Sequence, residues 1–267
     1  MRKSSLLLLF GFLSIHSCRR ADRDLDRDIS ETKDQVFGTY VWLDVFSRVS
    51  EACSFEPGLR MLECGNVMID TLSSPMSILI DFGPTDCTGN DGRTRSGKIF
   101  ASLSSGYNDS ATIVQVQLQN YRFNGQNIQG QMTITNNGRD TQSRRKFAVS
   151  VQQSTIQFSA SNRTSIWSSS LTLLLNSGET TVAISDDSFL VSGTFSGKSS
   201  KGNLYTGNIS QPISYQLSCG EIVSGSIDVL PENLNKRVAL FGDGNCDAII
   251  LVNVNGFEEE FNPESID

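Results

Sequence analysis

The residues of this chain that could do chemistry are mainly carboxylates, because histidine is almost absent. Of the 267 residues one is a histidine, His16, and it lies in an N-terminal segment that we predict to be removed. A mature chain without histidine has no Ser-His-Asp triad, no Cys-His pair and no imidazole ligand for zinc. Two carboxylates are nevertheless enough for a glycosidase. The acids that we consider for such a pair are Asp186, Asp187, Glu221 and Asp243, and their spacing selects no two of them.

Calcium binding is the second kind of chemistry that these acids could support. Asp243, Asn245 and Asp247 form a D-x-N-x-D run whose alternating oxygens could hold Ca²⁺. A second loop is crowded with the same residue types, at Asp86, Asn90 and Asp91. The glycine and the distant glutamate of a complete EF-hand loop are missing, and Asp, Asn and Gly are also ordinary turn residues. We therefore expect structural turns here and no cofactor.

The N-terminus has the features of a lipoprotein signal peptide. A short basic start, Met1 to Lys3, precedes an apolar stretch from Leu6 to Leu13, which is too short to span a bilayer. Ile15 and Ser17 stand three and one positions before Cys18, which resembles a bacterial lipobox. We predict a signal peptide over residues 1–17 and lipid attachment, including palmitate, at Cys18. The alternative is an ordinary secretory signal in which Cys18 is incidental.

The segment that follows Cys18 is rich in charge. Residues 19–34 contain five basic, six acidic and three apolar residues, so we predict a tether over 18–34 that does not pack. Arg19, rather than Asp, follows Cys18, which resembles the pattern for sorting to the outer membrane and leaves open which face the protein occupies. Removal of the signal peptide takes the formal charge from −7 to −9, which argues against nucleic acid as a partner.

One helix and about twelve strands are the elements that would position these residues. Apolar residues recur at nearly helical spacing over 35–53, which predicts a short helix, although Gly38 weakens it. We expect Trp42 in the core. Over 54–267 short runs alternate apolar and polar residues between Asn-Gly and Asp-Gly turns, and a change of phase indicates a bulge near Asn120. The pattern predicts an all-β antiparallel meander, either a sandwich or a half-open barrel.

Two stretches of the chain resemble each other and indicate an internal repeat. Each opens with Cys-Gly-x-aliphatic, at Cys64 and at Cys219, and each closes with Phe-Gly-x-x-x-Cys, at Cys87 and at Cys246. The β domain would then consist of two related halves. An antiparallel hairpin brings the two ends of each unit within disulfide distance. We therefore predict the disulfides Cys64–Cys87 and Cys219–Cys246, which leave Cys53 over.

A charged segment, Asp91-Gly-Arg-Thr-Arg95, follows the first unit and continues to Lys98. It could be an exposed binding motif, or a hairpin in which ion pairs involving Asp91, Arg93, Arg95 and Lys98 hold the turn. Together with Ile-Asp-Phe-Gly before it and Phe-Gly-Asp-Gly-Asn-Cys-Asp from Phe241 to Asp247, it resembles a family of uncharacterised lipoproteins of Bacteroidota-type bacteria. The resemblance covers roughly the whole mature chain, and it implies a location and a fold but no activity.

These features together predict a lipid-anchored outer-membrane protein with a structural or binding role, and an enzyme is not favoured. The expected partners are the membrane, through the lipid, and a protein or glycan of the cell envelope. The alternatives are a carboxylate-dependent glycan hydrolase and a calcium-stabilised adhesion-type module. Asp109-Ser110-Ala111 also resembles an acceptor for O-glycosylation, with Ser110 as the modified residue.

Overall fold

The computed structural model describes residues 26–54, 64–181 and 184–265. They form one helix, α1 (Ser30–Ser54), fourteen strands and two short 3₁₀ turns, Ile184–Asp186 and Pro263–Ser265. The strands are β1 (Asn66–Asp70), β2 (Met76–Asp81), β3 (Cys87–Thr88), β4 (Thr94–Leu103), β5 (Ile113–Phe123), β6 (Gln126–Arg139), β7 (Arg145–Phe158), β8 (Arg163–Ser177), β9 (Ser188–Lys198), β10 (Leu204–Gln216), β11 (Glu221–Pro231), β12 (Arg237–Phe241), β13 (Ile250–Val254) and β14 (Phe257–Phe261).

All of the strands belong to one antiparallel sheet. Their order in the sheet follows the chain from β1 to β14, except that the short β3 pairs only with β4. The predicted all-β meander with one N-terminal helix is therefore confirmed. The sheet is not closed into a barrel, so β1 and β14 are its two edges. The two cysteine units are hairpins, β1–β2 at one edge and β11–β12 near the other.

The helix forms the centre of the molecule, and the sheet curls around it. Side chains that point in every direction from α1 are buried, among them Val36, Val41, Val45 and Val49, each 0% exposed. The helix contacts strands as far apart as β2 and β11. A helix that is apolar on one stripe only would leave a face to solvent, whereas α1 is enclosed on all sides. Trp42 is buried as predicted.

The helix begins earlier than the sequence pattern indicates, at Ser30. The predicted tether is therefore wrong for residues 26–34, and its remaining residues, 18–25, lie outside the described part of the chain. Glu31 and Asp34 are buried at 0% and 3% exposure. They pack because loops distant in sequence supply partners: Asn203 donates its amide to Glu31 at 2.6 Å, and the Ser200 backbone donates to Asp34.

Irregularities in neighbouring strands accompany the curvature of the sheet. The pairing register shifts between β4 and β5, between β5 and β6, and between β6 and β7. Gly97 (φ 80°) and Asn120 (φ 49°) lie at two of these shifts, so the predicted bulge near Asn120 is confirmed. A Cβ on Gly97 would lie 2.1 Å from the Asn120 carbonyl oxygen, so the close approach of β4 and β5 requires glycine there. Bulges of this kind increase the local bend and twist of a sheet.

Both predicted disulfides are present in the structure. The Cα atoms of Cys64 and Cys87 are 5.8 Å apart, and those of Cys219 and Cys246 are 6.3 Å apart. Cys53, near the end of α1, lies outside both disulfides and is half-buried. Each bridge joins the residue two positions before a hairpin to a residue beyond the end of its second strand, Cys87 in β3 and Cys246 in the loop after β12, so the repeat identified the pairing correctly.

Candidate functional site

The Asp91–Arg95 segment is folded inward rather than exposed. A turn closed by the Gly92 backbone, which donates to the Gly89 carbonyl at 3.0 Å, leads into β4. It directs Arg93 and Arg95 toward the helix, where they are 1% and 2% exposed. Of the two alternatives for this segment, the exposed binding motif is therefore wrong for both arginines, whereas an ion pair within the turn is present, with Arg95 Nη2 2.5 Å from Asp91 Oδ2. The sequence could not show the burial because two further acidic partners, Asp44 and Glu221, lie far away in the chain.

Arg95 forms a buried two-point ion pair with Asp44, at the middle of α1. Its Nε donates to Asp44 Oδ2 at 2.9 Å and its Nη2 to Asp44 Oδ1 at 2.5 Å. Asp91 receives further bonds from Arg95, and the Tyr121 hydroxyl donates to Asp44 at 3.2 Å. Burial by itself raises the pKa of Asp44, but the Arg95 guanidinium outweighs it and holds that pKa below its ordinary value. Asp44 is therefore ionised at neutral pH.

Arg93 extends in another direction, to the start of β11. Its Nη1 donates to the Gly220 carbonyl and its Nη2 to Glu221, both at 2.5 Å, and its Nε donates to Glu264 at 3.1 Å. A Cβ on Gly220 would lie 2.2 Å from Arg93 Nη1, so this approach requires glycine. Arg93 thus ties a strand near one edge of the sheet to a strand and a C-terminal turn near the other.

We call Asp44, Asp91, Arg93, Arg95 and Glu221 the arginine cluster. Each charged group in it has an oppositely charged partner inside the protein, and the cluster connects the helix with strands on both sides of the curled sheet. Buried ion pairs contribute little net stability but are costly to break, so this arrangement favours one packing over others. Sequence reasoning missed Asp44, although a lone acid within the apolar stripe of a helix is a signal for a buried partner. The cluster holds the fold; we assign it no ligand.

The acids considered for catalysis do not come together as one set. Glu221 belongs to the arginine cluster, and Asp243 lies exposed in the loop after β12. Asp186 and Asp187 are adjacent, and Asp187 lines a cavity of about 170 Å³. Burial, followed by the nearby charge of Asp186, raises the pKa of Asp187 to about 6.

A second acid, Glu179, lines the same cavity, and sequence reasoning missed it. Arg145 Nε donates to Glu179 at 2.7 Å, and Arg139 also binds Glu179, which holds the Glu179 pKa below its ordinary value. Three aromatic residues, Tyr107, Phe147 and Phe189, also line the cavity. The arrangement therefore places one carboxyl with a raised pKa beside one that is kept ionised.

The candidate calcium ligands are engaged in turn contacts. The Asn245 amide donates to Asp243 at 2.8 Å, and Asp247 accepts from the Ile249 backbone at 3.1 Å. In the first unit Asp86 accepts from the Ser96 hydroxyl at 2.8 Å. Within residues 26–54, 64–181 and 184–265, no group of three or more His, Cys, Asp or Glu side chains is placed to hold a metal ion.

The structure describes one of the two predicted modification sites, Ser110, and does not describe the other, Cys18. Ser110 lies exposed in the turn between β4 and β5, so its side chain is accessible, and its glycosylation stays a prediction. Cys18, the predicted lipid attachment site, lies outside the described residues, as does the whole predicted signal peptide.

An open polar groove of about 940 Å³ lies on the outer face of the sheet, where β4, β5 and β6 shift register. We call it the amide groove, because five carboxamide side chains line it: Gln119, Asn120, Asn127, Gln129 and Gln157. Tyr121 lies at the groove with its side chain turned inward to Asp44. The arginine cluster therefore fixes the backbone beneath the groove.

A smaller cavity of about 340 Å³ lies beside the N-terminus of α1 and is rich in charge. Four basic and three acidic residues line it: Arg27, Lys33, Arg163, Lys201, Asp28, Asp34 and Glu259. Several of them pair, since Lys33 lies 2.9 Å from Glu259 and Lys201 lies 2.6 Å from Asp28. Asp34 differs from the other acids because burial, which outweighs the hydrogen bond from Ser200, raises its pKa to about 6.

We expect Asp34 to make the protein less stable as the pH rises from about 4 to 6. Over this range the folded protein holds a proton on Asp34 that the unfolded chain, with a pKa near 3.8, releases. The stabilisation is complete below pH 4 and is lost as the pH rises through 6. Asp34→Asn should remove this pH dependence. Its size is up to about 3 kcal/mol, because the pKa of Asp34 differs by about two units between the folded and the unfolded protein.

Urea denaturation of the wild type and of Asp34→Asn at a series of pH values measures the effect of Asp34. Asp140→Asn is the control, because the Arg144 backbone, in an exposed loop, holds the Asp140 pKa below its ordinary value and so gives the opposite slope. Parallel pH profiles for the wild type and Asp34→Asn would show that Asp34 titrates normally in the folded protein.

No protein-family model, curated protein or solved structure matches this chain. Within the described residues, no helix has the length and apolar character needed to cross a membrane. The geometry of the sites above, together with the N-terminal sequence, therefore carries the functional argument.

Proposed function

We propose that this chain is a lipid-anchored protein of a bacterial outer membrane, and that its β domain is a binding module without catalytic activity. The lipobox-like residues before Cys18, the charged segment after it and the resemblance to a lipoprotein family support the anchor. Two disulfides fit a protein that crosses into an oxidising compartment. Asp26, the first residue that the structure describes, is eight positions beyond Cys18, so an anchor at Cys18 would hold the domain within about 28 Å of the lipid.

The observation that supports the binding role most directly is the contrast between the two faces of the sheet. The inner face is packed against α1, most of whose side chains are buried. The outer face carries the amide groove, which is open to solvent. Residues on a rigid scaffold that display unpaired polar groups are typical of recognition sites.

Acylation of Cys18 is tested by labelling cells with palmitate. We expect label in the wild type and in Cys53→Ala, and none in Cys18→Ala. Label that persists in Cys18→Ala would refute the anchor, and the ordinary secretory signal would replace it.

The binding role is tested separately, with a photo-crosslinking amino acid at Gln119 in intact cells. The matched control carries the same amino acid at Ser192, an exposed position of β9 outside the groove. Adducts from position 119 that are absent from position 192 are expected. Equal adducts from both positions, or none, would refute a binding site in this groove.

A carboxylate-dependent hydrolase is the second candidate, and the cavity lined by Asp187 and Glu179 favours it. A protonated acid beside an ionised one is the arrangement that glycosidases use. The two arginines that bind Glu179 weaken it as a base. Hydrolysis of 4-nitrophenyl glycosides that is lost in Asp187→Asn and kept in Asp186→Asn would establish this activity and overturn the non-catalytic proposal.

A further inference from the structure

We propose that the amide groove binds a short, uncharged oligosaccharide. This inference rests on the proposed binding role and specifies the class of ligand and the site. It follows from the chemistry of the lining side chains, from the balance of charge around them and from the rigidity of the backbone beneath them.

The lining side chains are suited to hydroxyl groups. A carboxamide offers an NH₂ donor and a carbonyl acceptor side by side, and each sugar hydroxyl is both a donor and an acceptor. Among the described residues, the side-chain amides of Gln119, Asn127 and Gln129 have no hydrogen-bond partner within the protein. These amides are therefore available to a ligand.

The charges at the groove are nearly balanced, which disfavours a polyanion. Lys98 pairs with Asp81 at 2.9 Å. Arg122 donates to the Gly125 carbonyl at 2.9 Å and lies 4.0 Å from Asp86. A phosphate-rich ligand or a nucleic acid would favour several unpaired cations, whereas both cations that line this groove, Lys98 and Arg122, have an acid beside them.

The size of the groove fits a ligand of a few sugar units. Its volume of about 940 Å³ lies near the upper end of the range of about 300–1,000 Å³ for small-molecule sites. The one aromatic residue that lines it, Tyr121, is 1% exposed and offers no ring for stacking. Hydrogen bonds must then carry the binding, and we expect millimolar affinity.

The backbone beneath the groove is fixed before a ligand arrives. Gly97 packs against the Asn120 carbonyl, and Tyr121 is held by its hydrogen bond to Asp44 in the arginine cluster. A preformed site loses less conformational entropy on binding than a flexible one. The amides on β5 and β6 therefore keep a constant separation.

Titration calorimetry on the full mature chain tests this proposal, in a detergent without a sugar headgroup. The probes are maltotetraose, cellotetraose, chitotetraose and mannotetraose. We expect at least one of them to bind, and Gln119→Ala and Gln129→Ala each to weaken binding about fivefold, the loss of a hydrogen bond of ~1 kcal/mol. Gln131→Ala, an exposed glutamine of β6 outside the groove, should leave the affinity unchanged.

Two results would overturn the proposal: no binding of any of the four tetrasaccharides, or equal weakening by Gln131→Ala and the groove variants. If a protein is crosslinked from Gln119 while no tetrasaccharide binds, the ligand class is wrong and the binding role stands. If neither crosslinks nor sugar binding are observed, both proposals fail.

Discussion

Replacing Asp44 with Asn should lower the free energy of unfolding by about 3–5 kcal/mol, the usual cost of removing one partner from a buried ion pair. Asn keeps one acceptor oxygen but carries no charge, so Arg95, whose guanidinium is 2% exposed, would lose its two-point ion pair with Asp44. Water cannot reach the guanidinium to compensate. Asp91 would be the only acid still bound to Arg95. Urea denaturation at neutral pH measures the loss.

The matched control for Asp44→Asn is the same change at an exposed ion pair. Asp228 lies 2.9 Å from Lys236, whose side chain is 51% exposed. Asp228→Asn should cost less than about 1 kcal/mol, because solvent screens such pairs. If the two substitutions cost the same, the arginine cluster would contribute nothing beyond a surface ion pair.

The effect of Asp44 should also depend on pH in a definite direction. Its pKa is held below the ordinary value near 3.8, so its contribution is present above that pH and is lost as the pH falls further. The difference in stability between the wild type and Asp44→Asn should therefore narrow below about pH 4. Arg95→Gln added to Asp44→Asn should recover part of the loss, because no buried guanidinium is then left without its main partner.

Replacing Gly38 with Ala should destabilise the protein by about 1–3 kcal/mol, the usual cost of overpacking a core. Helix propensity alone predicts the opposite, a gain of about 1 kcal/mol. A Cβ at position 38 would lie 2.8 Å from two ring atoms of Trp167 on β8. The indole cannot move away easily, since its Nε1 donates to Gln35 at 2.8 Å.

A double-mutant cycle separates these two effects of Gly38→Ala on stability. In a Trp167→Leu background the alanine meets a smaller and more flexible side chain, so Gly38→Ala should cost less than it does in the wild type. Thermal or urea denaturation of the four proteins gives the coupling energy. An increase in stability on Gly38→Ala in the wild-type background would show that Trp167 does not require glycine at this position.

Several elements of the fold could be predicted because their causes are local. The alternation of apolar and polar residues between turn signals predicted the antiparallel meander, and the change of phase predicted the bulge at Asn120. Apolar spacing predicted the helix. The cysteine repeat predicted both disulfides, because a hairpin brings residues of the same unit together.

Two predictions failed, and both concern charged residues. The acids of 26–34 were expected to remain in solvent, and one of the two alternatives for the Asp91–Arg95 segment, an exposed binding motif, is wrong for Arg93 and Arg95. Burial of a charge depends on its partner, and these partners are far away in sequence: Asn203 is 172 residues from Glu31, Asp44 is 51 from Arg95, and Glu221 is 128 from Arg93. A local pattern can indicate that Asp44 needs a buried partner, but it cannot identify that partner.

The sequence by itself determined most of the secondary structure and the disulfide pairing, because these depend on residues close together in the chain. Only the tertiary structure decided that α1 is the centre of the molecule, that the Asp91–Arg95 segment is internal, and that five amides of three strands line one groove. The physical reason is that these features depend on contacts between distant parts of the chain. Such contacts are the register shifts between neighbouring strands from β4 to β7 and the buried ion pairs. They bring together residues that are far apart in the chain, and the sequence around one such residue does not identify its partner.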